Sequence, residues 1–205
     1  MDSNINQVMK ICVFQGTFNP IHNAHLRAAK YIFDKLKPDK FLFIPACIPP
    51  HKDYDSKMTI HRLEMVKLAL SEYPEFEPSD IEYRRSGKSY TYNTIIELYK
   101  MFPNLKKVYF LIGTDAFRKI ETWYNTEELK KLVKFIVFIR EEKFNPSELN
   151  YLKDKGYDFE IQKLPFKDIS STKIRELLKN RKGNVKSDIP EKVMEYIEKN
   201  GLYNS

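Results

Sequence analysis

Short apolar runs recur along this chain between segments of helical spacing, and that alternation limits the possible folds more than any other feature. The runs cover residues 11–14, 41–44, 108–112, 135–139 and 159–164 and are rich in Val, Ile and Phe. Helical spacing marks 24–36, 60–71, 94–101, 126–132, 171–180 and 191–199. Runs that are apolar along their whole length, rather than at every second position, belong to strands covered on both faces. The pattern predicts an α/β fold, an open parallel sheet with helices on both faces. With 205 residues, 42% of them hydrophobic, the chain can bury such a core as one domain over 1–205. The polar stretch 145–158 reads as an excursion from that domain.

Charge and cysteine usage narrow the function classes. The 35 basic residues exceed the 28 acidic ones by seven, which favours anionic ligands. The lysines alternate with Glu and Asp, as where Lys130, Lys131 and Lys134 follow Glu127 and Glu128, so no stripe for nucleic acid forms. Cys12 and Cys47 lie in apolar runs and make no disulfide framework. The first residues lack the basic start and apolar core of a signal peptide, and no run approaches the ~20 apolar residues of a membrane span. The expectation is a cytoplasmic protein with no membrane partner.

In open parallel sheets, ligands bind beyond the carboxyl ends of the strands, so the loops after strand runs carry the most functional weight. The first of these reads QGTFNPIHNAH, residues 15–25. Gly16 can take the positive φ that a sharp exit from a strand needs, and Pro20 restricts the bend. His22 and His25, three apart at a helix start, can face the same way beside unpaired backbone N–H groups and the positive end of the helix dipole. That suits a phosphate. Zinc and plain surface histidines are the alternatives, but zinc needs further ligands, and His51, His61 and two cysteines are the nitrogen and sulfur donors left. No metal ligand is assigned. Gly87-Lys88-Ser89 imitates the end of a P-loop, yet the earlier glycine is replaced by Glu82, and Arg84, Arg85 and Lys88 read as a solvated turn. Far downstream, Ser170, Ser171 and Thr172 open a helix and Arg175 follows one turn later. Capping explains one hydroxyl, and the full set suits a polyphosphate.

Taken together, Gly16-Thr17-Phe18-Asn19-Pro20 leading to His22-x-x-His25, and Ile169-Ser-Ser-Thr172-x-Ile174-Arg175, resemble the HxGH and ISSTxxR signatures of the nucleotidylyltransferase superfamily. The runs 44–52, Ser89-Tyr90-Thr91, 111–115, Thr122-Trp123-Tyr124 and Gly201-Leu202-Tyr203 extend the similarity to bacterial nicotinate-nucleotide adenylyltransferases over essentially the whole chain. The resemblance implies a Rossmann-like sheet and a C-terminal helical part, about 166–205, that completes an ATP site. It implies adenylyl transfer from ATP to nicotinate mononucleotide, giving nicotinate adenine dinucleotide and pyrophosphate. His22, His25 and Arg175 would act on the phosphates; Gly16, Thr17, Phe18, Lys52, Gly113, Asp115, Ser170, Ser171 and Thr172 would complete ATP binding. Thr91, Trp123 and Tyr124 would hold nicotinate mononucleotide, with Trp123 stacked on the pyridine ring. Mg²⁺ would arrive with ATP without dedicated protein ligands. The superfamily's HxGH glycine is Ala24 here, and its methyl is expected to crowd a closely approaching nucleotide. Transfer to nicotinamide mononucleotide or phosphopantetheine is the alternative within the superfamily; a nucleotide sensor or RNA-binding module is the alternative outside enzymes. A homo-oligomer is left open.

Overall fold

The computed structural model describes residues 9–50, 55–139, 144–165, 169–180 and 185–204. Its strands are β1 Met9–Gly16, β2 Lys40–Pro45, β3 Glu77–Pro78, β4 Leu105–Gly113, β5 Val133–Ile139 and β6 Phe159–Lys163. They form one parallel sheet in the order β3-β2-β1-β4-β5-β6. The helices are α1 Asn23–Leu36, α2 Ser56–Leu70, α3 Thr91–Met101, α4 Thr114–Phe117, α5 Thr126–Leu132, α6 Asn150–Asp154, α7 Ser171–Lys179 and α8 Glu191–Lys199.

The apolar strands have no polar face because both sides are covered. Cys12 and Phe14 of β1, Phe41 and Phe43 of β2, and Ile136 and Phe138 of β5 pack with Leu26 and Ile32 of α1, Val66 of α2, Ile174 of α7 and Val193 of α8. Their strand neighbours Ile11, Val13, Leu42, Ile44, Phe135 and Val137 point the other way, onto Ile95 and Leu98 of α3 and Leu129 of α5. This is the period-2 alternation of a strand read out as two cores. Each fully buried Ile or Phe contributes roughly 1.5–3 kcal/mol.

The structure revises the sequence reading of several elements. Residues 145–158 are no excursion: Leu149, Leu152 and Tyr157 are buried in the second core, so this segment is the crossover from β5 to β6. Helices α2 and α3 begin four and three residues before their first apolar repeat. Asp55 caps α2 by accepting from the Lys57 N–H at 2.9 Å, and Tyr90 occupies the cap of α3. β3 is two residues long and includes Pro78, which is tolerated on a sheet edge. Among the described residues, no helix is long and apolar enough to cross a membrane.

Candidate active site

The strand order reverses direction at β1 and β4, whose carboxyl ends are Gly16 and Gly113. At such a switch point the loops diverge to opposite faces and leave a crevice. The loop from Gly16 to His22 fills its rim. Gly16 does not take the expected positive φ; Phe18 does, at 48°. That folds the Phe18 ring back over Gly16, where a Cβ would lie 3.1 Å from Phe18 Cζ. The glycine is required for close approach, and the turn is made by the residue two positions on.

Phe18 and Phe14 in turn hold the His25 ring edge-on, with centroids 5.1 and 5.6 Å away. His22 stacks on His25 at 3.6 Å and is wholly buried. His22 occupies the N-cap of α1, and its backbone N–H donates to His25 Nδ1 at 3.2 Å. His25 thereby takes the place of the glutamate in a capping box. An Nδ1 that accepts leaves the proton of the neutral ring on Nε2, so His25 is set as an Nε2–H donor. One helix-start donor that could have met a phosphate is already used: the Asn23 N–H donates to the Asp188 carbonyl at 2.8 Å. Ala24 is 2% exposed, so its methyl is packed into protein and does not project into the crevice as expected.

The downstream motif closes on this loop. Ser171 Oγ donates to the Pro20 carbonyl at 3.0 Å, and Arg175 donates to the Asn19 carbonyl at 2.7 Å and to Thr172 Oγ1 at 3.3 Å. Ser170 caps α7 by accepting from the Lys173 N–H at 3.2 Å. Two segments some 150 residues apart in sequence thus bring the first turn of α7 against the loop leading into α1. Two positive helix ends, Arg175 and an imidazole converge there, which favours a polyanion.

The second half of the crevice lies on the other side of the switch point. Buried Gly113 caps α4, and Asp115 is exposed in its first turn. Thr91 opens α3. Its neighbour Tyr90 packs against exposed Tyr124 with centroids 4.6 Å apart, so the start of α3 and the 123–124 turn are adjacent. Trp123 is half-buried, edge-on to Phe110 at 6.0 Å. Lys52, with His51, lies outside the described residues.

Two buried charges to which the sequence reading gave no part in the site support these loops. Arg62, 3% exposed, donates from α2 to the carbonyls of Thr17 at 3.1 Å, Ala46, and Cys47 at 2.9 Å. Glu82, 1% exposed, accepts from Gln15 Nε2 at 2.5 Å, Thr94 Oγ1 at 2.6 Å and the Cys47 N–H at 3.3 Å. Ser89 holds the next residue, accepting from the Ile48 N–H and donating to the Ile48 carbonyl. Burial pushes the Glu82 carboxyl above its usual range, against the pull of Ser89, Thr94, Arg85 and the Cys47 N–H. Arg85 is no solvated turn residue: it is half-buried between Glu82 and Glu97, at 3.3 and 3.2 Å. The P-loop imitation is likewise structural, because the Ser89 hydroxyl is spent on Ile48 and Glu82. Arg62 was readable in principle, since Thr59, Arg62, Leu63 and Val66 share one helical stripe that is otherwise apolar or small.

The cytidylyltransferase-like family matches residues 13–177 of this chain. A probable nicotinate-nucleotide adenylyltransferase of Caldicellulosiruptor saccharolyticus is 38% identical over 200 residues, covering 95% of this chain and 99% of the relative. The nicotinate-nucleotide adenylyltransferase of Bacillus subtilis is 37% identical over 197 residues, covering 96% and 99%. The chain belongs to the nicotinate-nucleotide adenylyltransferases, within the cytidylyltransferase-like family. Among solved structures, the nicotinic acid mononucleotide adenylyltransferase of Plasmodium falciparum complexed with NaAD matches with a TM-score of 0.81. It is 22% identical and the match covers 96% of this chain and 98% of that one, a likeness of fold. As a nicotinate-nucleotide adenylyltransferase family member, the chain has its loop after β1 and the start of α7 in direct hydrogen-bond contact.

Proposed function

We propose that this protein transfers the adenylyl group of ATP to nicotinate mononucleotide, releasing pyrophosphate and forming nicotinate adenine dinucleotide for NAD biosynthesis. The observation that carries the reading is the junction of Ser171 and Arg175 with the Asn19-Pro20 carbonyls beside the stacked histidines. It supports a polyphosphate site at the switch point, and the family supplies the reaction class.

In the step itself, a phosphate oxygen of nicotinate mononucleotide forms a bond to the α-phosphorus while the bond from that phosphorus to the α,β-bridging oxygen breaks. The nucleophile is already anionic, so the protein's task is alignment and stabilisation of charge on the departing pyrophosphate. His25, as an Nε2–H donor, and Arg175 supply that stabilisation, with Ser170, Ser171, Thr172 and Lys52 assigned to the same phosphates. Asp115 accepts from ribose hydroxyls beside Gly113, and Gly16, Thr17 and Phe18 shape the nucleotide rim. Thr91, Trp123 and Tyr124 receive the nicotinate half. Mg²⁺ would be carried in on ATP and held mainly by its phosphates and water, because magnesium dehydrates reluctantly. Free Cys12 and Cys47 fit a reducing cytoplasm.

The test compares nucleotides. With ATP and Mg²⁺, pyrophosphate release should be faster with nicotinate mononucleotide than with the nicotinamide form. Equal rates would refute the acid preference, and no release with either would refute the activity.

A further inference from the structure

After α8 the chain hooks back on itself. Gly201 and Tyr203 both adopt left-handed backbone, with φ of 61° and 64°. Glycine enters that region freely, whereas tyrosine does so only where the surroundings hold it. Buried Leu202, with its N–H on the Ile197 carbonyl at 3.0 Å, anchors the hook. The strained residue delivers its phenol to the loop after β1: Tyr203 Oη donates to Asn19 Oδ1 at 2.5 Å. Burial raises the phenol above its usual value near 10, against the pull of Arg175 and Arg62, so it remains a donor throughout the working pH range.

Asn19 is therefore held twice. Its side chain takes the Tyr203 hydroxyl, and its carbonyl takes the Arg175 guanidinium at 2.7 Å. The backbone just before it is strained too, at Phe18. A clasp serving stability alone would need only the phenyl ring, because ring packing anchors a chain end without a hydroxyl aimed at one side-chain oxygen. We propose that Tyr203 is a positioning residue for adenylyl transfer: its hydroxyl fixes Asn19, whose carbonyl aims the Arg175 guanidinium at the ATP phosphates. The proposal rests on the reading of Arg175 as a phosphate ligand.

The experiment uses the full chain and the variants Tyr203→Phe, Asn19→Ala and Arg175→Lys, alone and with Tyr203→Phe and Arg175→Lys combined. Loss of one well-placed hydrogen bond should lower kcat/KM for ATP about tenfold in Tyr203→Phe and in Asn19→Ala. The KM for nicotinate mononucleotide should hold, and any fall in melting temperature should leave each variant folded at the assay temperature. The combined variant should lose no more than Arg175→Lys alone, since both act through one guanidinium. Unchanged kcat/KM in Tyr203→Phe, or losses that multiply in the combined variant, would overturn the proposal. If the wild-type chain turns over no nicotinate mononucleotide, the functional reading fails instead. Calorimetric titration with ATP alone then decides: about tenfold weaker binding by Tyr203→Phe supports the positioning role, and equal binding refutes it.

Discussion

At the scale of single residues, identity follows from what each side chain must touch. Gly16 is a glycine because the Phe18 ring lies on it, and that ring is one wall of the His25 pocket. Gly16→Ala should press the ring toward His25 by a few tenths of an ångström. Overpacking of this kind costs roughly 1–3 kcal/mol, and turnover should fall with it because the imidazole moves. A Gly16→Ala protein with wild-type turnover and melting temperature would contradict this account. Ala24 works in the opposite sense: its methyl is enclosed, so the departure from the HxGH pattern fills protein space.

At the scale of elements, buried charge ties the loops together. Glu82 joins the end of β1 through Gln15, the loop after β2 through Cys47 and the start of α3 through Thr94. Its carboxyl is raised above the usual value near 4.5 by burial, so the folded protein binds this proton more tightly than the unfolded chain. The associated stability is fully present below that usual value and is lost as pH rises through the folded one. The melting temperature of the wild type relative to Glu82→Gln should therefore fall as pH increases; a relative rise would contradict the assignment. Such ties also mark where sequence reading stops. The long strands were legible because runs apolar at every position have one common explanation, a sheet covered twice. Helix starts at Ser56 and Thr91 were not, because a polar first turn carries no apolar period. Arg85 read as part of a solvated turn and Glu82 only as the residue in place of a P-loop glycine, since their burial arises from segments that meet only in the fold. The histidine and hydroxyl motifs were visible as motifs, but the part played by Asn19 and Tyr203 needed three dimensions.

At the scale of the whole molecule, strand order sets the site's position. The reversal at β1 and β4 opens one crevice, and the chain returns to it with the loop into α1, the first turn of α7 and the hook after α8. The excess positive charge of seven draws polyanions toward a protein whose loop into α1 and first turn of α7 meet at that crevice. The central claim is that this corner performs the chemistry while the two cores, built elsewhere, maintain the fold. Its most direct test is turnover of ATP and nicotinate mononucleotide by His25→Ala, measured beside its thermal unfolding. Removal of a preorganised donor should lower kcat on the order of 10²–10³-fold while the protein still unfolds cooperatively well above the assay temperature. Near-wild-type turnover, or a loss no larger than the unfolded fraction explains, would contradict the claim.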